Sequence, residues 1–434
     1  MSKKIKVVIF FLLAMLIVAP VFLKKEKAAM MITSITSKAG VKTTLVTAKN
    51  RKISFVTLRF TNAGILQNSP EEHGISCLLG HLLLRRVNRL SAEDTAEKFM
   101  QLGLRDLKCS CDEDDFIISF YVSNDRIQDA AHLLSMAFKS PTISDGDLKQ
   151  AKNIFPVHMS DEFSPPGMLL LDRLLGLLYD GSVYGFNRDG SSISINGVTL
   201  DALQQFMRAN LTVQNLKATI VGDLSRSEIN SFLSTLCEPL PKKYSVITSD
   251  KLTCGMAENK VCQIQKSSMK DMVGIMVGVR LDNLTDLELA AVYIIIDAIF
   301  DDKIGDFFCS LKQQGIACTV TYDLLEYRLS CTFVLRLYLD RADLEKFQQC
   351  FGEKFIEYNR NRCIHNLEQK KRNHIMIVRQ SGFVNYDNID QKLKNLHLPF
   401  EKVTAKVIDG VMAKLFDEQM RRIVIIRSPP GQRI

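Results

Sequence analysis

The segment Gly74-Ile75-Ser76-Cys77-Leu78-Leu79-Gly80-His81-Leu82-Leu83-Leu84 carries the most informative pattern in this chain. Its apolar positions, residues 75, 78, 79, 82 and 83, recur at the spacing of one helix face, which predicts a helix packed on a core. Cys77 and His81 are four residues apart and therefore lie on the same side of that helix. Because leucine-rich helices with one histidine are common, the interpretation depends on the surrounding sequence.

The same helix aligns with the inverted metal-binding motif H-x-x-E-H, but two of the three motif residues are replaced. In that motif two histidines hold zinc and the glutamate takes a proton from the metal-bound water. Here Cys77 occupies the first histidine position, Gly80 occupies the glutamate position, and only His81 remains. Cys77 and His81 are residual candidates for a metal or redox site. We favour the alternative, a buried thiol beside a hydrogen-bonded histidine, because two ligands rarely hold zinc.

The composition is that of a globular protein of two or three domains, with 434 residues, 46% hydrophobic and 24% charged. The net charge of +8 is spread along the chain, and no basic and aromatic pattern for stacking bases is present, which argues against nucleic acid as a partner. The 11 cysteines show no spacing typical of a disulfide scaffold. Cys77 and Cys331 lie in apolar runs and are predicted to be buried thiols.

The N-terminus predicts export. Lysines flank an uncharged apolar run from Val7 to Leu23, at the lower length limit for a membrane-spanning helix. No good cleavage site follows this run, so we favour an uncleaved anchor over a cleaved signal peptide. The chain body is then expected in the periplasm, tethered to the inner membrane.

The chain contains an internal duplication. The alternation over residues 53–60 predicts a strand, with a plausible counterpart at residues 273–279. Thr199 and Thr404 each begin a predicted helix that is followed by a short apolar strand. We therefore predict an N-terminal signal or anchor over 1–30, a first domain over 31–236, a linker over 237–262 and a second domain over 263–434.

The order of these features resembles the M16 metallopeptidase family (pitrilysin, insulin-degrading enzyme, mitochondrial processing peptidase), most closely its short bacterial branch with two homologous domains per chain. The pieces that carry the resemblance are residues 74–84, Leu102-Gly103, Tyr184-Gly185, Thr199-Leu200 and Val221-Gly222-Asp223. The resemblance implies an α+β fold of two tandem homologous domains, each a mostly antiparallel sheet covered by helices, as in LuxS-like metallohydrolases.

The resemblance also implies functional positions that this chain has changed. The third zinc ligand, a glutamate, corresponds to Val157; His158 is adjacent but points about 100° away on a helix. An arginine and a tyrosine that hold the substrate backbone correspond to Leu311 and Cys318, with Lys312 as a shifted stand-in for the arginine. With the ligand set incomplete, we expect no zinc cofactor.

Three other groups have a functional and a structural interpretation. Residues 109–115, with two cysteines and four acidic residues, are either a metal site or a strand that leads into a solvated acidic hairpin. His73 is either a ligand or an exposed turn residue. The basic run from Lys370 to His374 either meets an acidic membrane or partner, or forms a solvated helix face. In each case we favour the structural interpretation.

These departures predict a chain without proteolytic activity of its own, because general-base help alone is worth roughly two to four orders of magnitude in rate. The favoured function is a non-catalytic subunit that completes the peptide chamber of an active M16 homologue in a heterodimer; a homodimer is the other partner arrangement. A stand-alone, membrane-tethered peptide-binding or scaffold protein is the alternative. A third possibility is an unorthodox zinc metalloendopeptidase that uses Cys77, His81 and His158.

Overall fold

The computed structural model describes residues 31–67, 72–139, 143–159, 164–243, 254–300, 306–316, 318–350, 353–380 and 389–429. The predicted anchor, residues 1–30, and residues 244–253 of the predicted linker lie outside these ranges. Within the described ranges, no helix combines the length and the apolar character needed to cross a membrane.

The first sheet has six strands in the order β1-β2-β6-β3-β5-β4. Its strands are β1 (Met31–Thr36), β2 (Lys42–Thr47), β3 (Ile53–Phe60), β4 (Arg105–Cys111), β5 (Phe116–Ser123) and β6 (Leu216–Gly222). All neighbours are antiparallel except β2 and β6, so the last strand lies between two early ones. The predicted strand over residues 53–60 is confirmed as β3.

Eight helices come from the same half of the described chain. They are α1 (Ile75–Leu82), α2 (Ala92–Gln101), α3 (Ile127–Lys139), α4 (Asp145–Met159), α5 (Pro166–Leu178), α6 (Ser192–Gly197), α7 (Leu200–Asn210) and α8 (Arg226–Cys237). Alternate residues of β3, among them Val56, Leu58 and Phe60, form one core with α1, α3, α7 and α8. This packing follows from the period-2 pattern of the strand and the helical spacing of the leucines.

The second sheet repeats this plan with five strands in the order β7-β11-β8-β10-β9. Its strands are β7 (Val261–Gln265), β8 (Met272–Leu281), β9 (Cys318–Glu326), β10 (Cys331–Asp340) and β11 (Arg421–Arg427). Its helices are α9 (Asp286–Phe300), α10 (Asp306–Gln313), α11 (Leu344–Cys350), α12 (Glu353–His365), α13 (Leu367–Gln380), α14 (Ile389–Leu396) and α15 (Ala405–Leu415). The predicted α+β fold with mostly antiparallel sheets is confirmed.

The duplication is visible in equivalent positions of the two sheets. The side-chain oxygens of Thr199 and Thr404 cap α7 and α15, accepting from the N–H of Ala202 at 3.1 Å and of Val407 at 3.4 Å. Each capped helix leads to the last strand, β6 or β11, which lies parallel to one neighbour and antiparallel to another. β8 takes the place that β3 has in the first sheet, as the sequence predicted.

The two halves exchange helices. α5, from the first half, packs on β8 and β11, with Leu170, Leu174 and Leu178 in an apolar cluster on the outer face of the second sheet. α14, from the second half, places Ile389 and Leu393 on the outer face of the first sheet. Each sheet therefore buries one face under its own helices and the other under a helix from the other half.

Glycines in β8 make room for α5. A Cβ at Gly278 would lie 2.7 Å from Cδ2 of Leu174 and 2.8 Å from Cδ1 of Leu178. Gly274 similarly faces Leu170 and the side chain of Ile426. The close approach of helix and sheet depends on the missing side chains at these positions.

We expect Gly278→Val to lower the free energy of unfolding by about 1–3 kcal/mol, because the added methyl groups overpack the contact with α5. Chemical denaturation measures this change. Gly410→Ala is the control: it lies in α15, a Cβ there would meet no heavy atom within 4 Å, and the change is expected to stabilise by up to about 1 kcal/mol. Equal stability of Gly278→Val and the wild type would contradict the packing described here.

Candidate functional site

The helix with the altered metal motif, α1, is held firmly in the first half of the chain. Gly74 precedes it with a φ of 93°, and a Cβ there would lie 2.4 Å from the Asp189 carbonyl oxygen, so the position requires glycine. Ile75, Leu78, Leu79 and Leu82 are buried in the first core, as their spacing predicted. α1 lies beside β4, an edge strand of the first sheet.

Cys77, in the first histidine position of the motif, is bonded to Cys111 at the end of β4, with 5.3 Å between the two Cα atoms. The prediction of a free, buried thiol at Cys77 is therefore wrong. Cysteine binds zinc as a thiolate, and a sulfur in a disulfide is not a thiolate. No pattern in the sequence pointed to this pair, because it depends on which strand the fold places beside α1.

Gly80, in the general-base position, is buried against the backbone of β4. A Cβ there would lie 3.3 Å from the carbonyl oxygen of Cys109 and 3.3 Å from the Cα of Ser110. A glutamate at this position would require the strand or the helix to shift. His81 follows on the exposed side of the helix and is the one donor of the motif that remains.

The donor set does not fit a catalytic zinc ion, which takes three protein ligands. Val157 lies within α4, and valine has no donor atom to offer. The sulfur of Cys77 is bonded to Cys111, which leaves His81 alone among the motif positions. Over the ranges that the structure describes, no group of three or more His, Cys, Asp or Glu side chains is placed to hold a metal ion.

The positions that correspond to the substrate-holding pair also carry other chemistry. Leu311 in α10 is 1% exposed and belongs to the core of the second half, so it presents nothing to a ligand. Lys312 is exposed in the last turn of that helix. Cys318 begins β9 and is half-buried, and burial raises the pKa of its thiol. The structure places a cation near the expected arginine position but no phenol at the tyrosine position.

The acidic turn after β4, residues 112–115, is not a solvated hairpin as predicted. Arg59 on β3 pairs with Asp115 at 2.8 Å, Asp112 at 3.4 Å and Asp390 of α14 at 3.0 Å. Thr219 donates to the second oxygen of Asp390. Arg59 therefore ties the turn to the helix that covers the outer face of the first sheet.

The same turn contacts the second half of the chain through Asp114. Its carboxylate accepts from the Tyr184 hydroxyl at 2.7 Å and from the backbone N–H of Arg328 at 2.5 Å. The Tyr184 ring stacks on Tyr327, with 4.6 Å between centroids. Burial raises the pKa of Asp114 to about 6. Arg59 is a charged residue within an apolar strand. It was the one signal in the sequence that a carboxylate partner lay near β3.

Two histidines predicted to be solvated are buried. His73 is 6% exposed, its Nε2 lies 3.1 Å from the carbonyl oxygen of Asn187, and burial lowers its pKa. His374 is 5% exposed; its Nδ1 bonds the Asp297 carboxylate and its ring lies 4.6 Å from that of Phe400. The basic run from Lys370 to His374 is therefore not a uniformly solvated helix face.

Comparison with known proteins agrees with this architecture. A family model described as the peptidase M16 inactive domain matches residues 197–362. The chain is 23% identical over 200 residues to an uncharacterized zinc protease, YmxG, of Bacillus subtilis (strain 168). That match covers 46% of this chain and 48% of YmxG, so the chain spans about half the length of this curated relative.

Solved structures resemble the chain over nearly its whole length. A peptidase M16 inactive domain from Pseudomonas fluorescens has a TM-score of 0.78 at 19% identity, with 93% of this chain and 99% of that chain covered. A putative M16-like peptidase from Alicyclobacillus acidocaldarius has a TM-score of 0.76 at 14% identity, with coverage of 93% and 99%. Pitrilysin has a TM-score of 0.72 at 16% identity, with coverage of 93% and 45%.

The chain thus has two helix-covered sheets, with the helix that carries the altered metal motif beside an edge strand of the first sheet. The family model and the curated relative both relate part of the chain to M16 peptidases. The family and the fold class predicted from the sequence are thereby confirmed. The roles of individual site residues and the domain boundaries stay predictions.

Removal of the disulfide is expected to destabilise the fold. The bond joins residues separated by 34 positions, and a closed loop of that size is worth about 3–4 kcal/mol in the chain-entropy model. We expect Cys77→Ala/Cys111→Ala to lower the free energy of unfolding by about that amount in denaturant titrations without reductant. Cys109→Ala, on the same strand, is the control, with an expected loss of about 1 kcal/mol. Equal losses in the two variants would contradict a stabilising bond.

Asp112 is expected to make stability depend on pH. Burial, then repulsion from Asp115, raises its pKa from 3.8 to about 6. Between pH 3.8 and about pH 6, Asp112 is therefore still protonated in the folded chain but already ionised in the unfolded chain. This group consequently makes the free energy of unfolding fall as the pH rises through that range. Asp112→Asn removes the fall, and its stability relative to the wild type should increase from about pH 4 to about pH 7.5 in denaturant titrations.

Asp125→Asn is the control of opposite sign. A hydrogen bond from the Ser123 side chain lowers the pKa of Asp125, so its contribution is present above the ordinary pKa and is lost on acidification. The deficit of this variant should therefore shrink as pH falls. A pH-independent difference between Asp112→Asn and the wild type would refute the assignment of the raised pKa to Asp112.

Proposed function

We propose that this chain is a catalytically inactive M16 homologue that supplies half of a peptide-holding chamber to an active zinc-protease partner. The observation that carries the proposal is the state of α1. Cys77 is consumed in a disulfide, and Gly80 leaves no side chain between the helix and β4. The helix keeps its place in the core while its chemistry is gone.

Hydrolysis by this chain alone has little physical support. A general base contributes roughly two to four orders of magnitude in rate, and none stands at the position of Gly80. A zinc ion held by His81 alone would exchange readily with solvent. The third hypothesis, a metalloprotease built on Cys77, His81 and His158, loses its first ligand to the disulfide.

The size of the fold supports a partner. The chain aligns over 93% of its own length with only 45% of pitrilysin. A second chain of similar size would complete a body of the pitrilysin type. Since M16 chains have homologous halves, the partner that fits is another M16 chain with an intact zinc motif, in a heterodimer; a homodimer would complete the chamber without a zinc site.

The contribution of this subunit would be shape rather than substrate-binding side chains. Leu311 is a core residue and Cys318 is a thiol, so the pair expected to hold a peptide backbone is replaced. Lys312 is the exposed cation in that region. We propose that the chain forms a wall of the chamber and limits which peptides enter, and that it is exported and tethered by the segment from Val7 to Leu23.

The test is co-expression with a homologue that carries an intact H-x-x-E-H motif. We expect the two chains to co-purify at equal stoichiometry and a peptide to be cleaved at least about tenfold faster by the pair than by either chain, because each alone has half of the chamber. Calorimetry and a fluorogenic peptide measure binding and cleavage. The pair with the partner's glutamate changed to glutamine is the control for partner catalysis.

Three outcomes would count against this function. Failure to bind any intact homologue while binding uncleaved peptide as a self-assembled chain would favour the scaffold alternative. Binding without any change in the partner's rate would remove the chamber role. Chelator-sensitive cleavage by this chain alone would overturn its inactivity.

A further inference from the structure

Cys77 of α1 and Cys109 and Cys111 of β4 lie in the region where this helix contacts this strand. Cys109 and Cys111 are two residues apart on β4, so their side chains leave the same face of the strand. Cys77 and Cys109 both pack against the first core, and Cys111 is part of it. Eight further cysteines among the described residues, Cys109 included, are thiols, so the bond between Cys77 and Cys111 is a selected pairing.

β4 is an edge strand, and its first residues are less firmly held than its end, where Cys111 leads into the anchored turn. As an edge strand it pairs, within the described part of the chain, only with β5, and its register shifts between Arg105 and Lys108. Most of its residues are exposed or half-buried, in contrast to the neighbouring strand β5. Against α1, the strand has the backbone contact at Gly80, a contact of 3.6 Å between Ser76 Oγ and Cys111 Sγ, and the disulfide. Edge segments with few apolar contacts open at low free-energy cost.

We propose that the disulfide between Cys77 and Cys111 is a redox-sensitive fastener, which pins β4 to α1 when oxidised and lets the strand detach locally when reduced. The inference does not depend on the proposed function, because it concerns the mobility of one strand in this chain. The second sheet, which is built from the other half of the chain, should not respond.

The reaction requires an external dithiol. Its thiolate attacks Sγ of Cys77, the partly exposed partner, and forms a mixed disulfide, while Cys111 leaves as a thiolate and takes up a proton. The second thiol of the reagent loses its proton and displaces Cys77, which also ends as a thiol. Two electrons and two protons pass to the protein, and the reagent becomes a disulfide.

Cys109 lies on the same face of β4 as Cys111 but is a free, half-buried thiol. Burial raises the pKa of this thiol. Because the thiolate is the attacking form, we expect Cys109 to exchange only slowly into the bond between Cys77 and Cys111.

Hydrogen–deuterium exchange with mass spectrometry, with and without dithiothreitol, tests the fastener. We expect reduction to release two additional titratable thiols and to speed exchange in residues 105–111 by at least about tenfold, with a smaller effect over 75–82. Residues 331–340, in the central region of the second sheet, should exchange at unchanged rates.

Two variants complete the test. Without reductant, Cys77→Ala/Cys111→Ala should exchange like the reduced wild type. Cys109→Ala should exchange like the oxidised wild type without dithiothreitol and like the reduced wild type with it. Two new thiols without faster exchange in β4 would overturn the proposal, as would exchange that rises equally in both sheets or a bond that dithiothreitol leaves intact in the folded chain. If the double variant does not fold, the wild-type comparison decides alone.

Discussion

Burial of the outer face of each sheet is the constraint on which this structure depends. A sheet covered on one side only would expose the apolar residues of β8 and β11, or of β2, β3 and β6, to water. α5 and α14 cover these faces, and each comes from the opposite half of the chain. The halves are thus coupled by apolar packing, with the pairing of Arg59 and Asp390 and the contact of Asp114 with Arg328 at its margin.

The packing of α1 does not depend on metal chemistry. The buried face of α1 serves the first core, and its leucines are needed whether or not a metal is bound. The other face of the helix contributes no leucines to this core. There Cys77 is bonded to β4 and Gly80 lies against the backbone of that strand, so this face also serves packing.

Local pattern accounted for the parts of the structure that the sequence predicted. The strand over residues 53–60 and the apolar positions of α1 follow from periodicities of 2 and 3.6, which neighbouring residues determine. The exchange of α5 and α14 was not predicted, because a helical pattern identifies an apolar face and not its partner. The same reason applies to Cys111 and to the carboxylates around Arg59, whose neighbours come from distant segments.

The place of the last strand in each sheet has a consequence for biosynthesis. β6 lies between β2 and β3, and β11 lies between β7 and β8. In each sheet, the inner strand is therefore synthesised after both of the strands with which it pairs. Until residues 216–222 arrive, the edges of β2 and β3 carry unpaired backbone groups, and residues 421–427 stand in the same relation to the second sheet. Such long-range pairing slows folding and leaves aggregation-prone edges on the nascent chain. A chaperone that shields strand edges would therefore matter most to this chain before residues 421–427 are made.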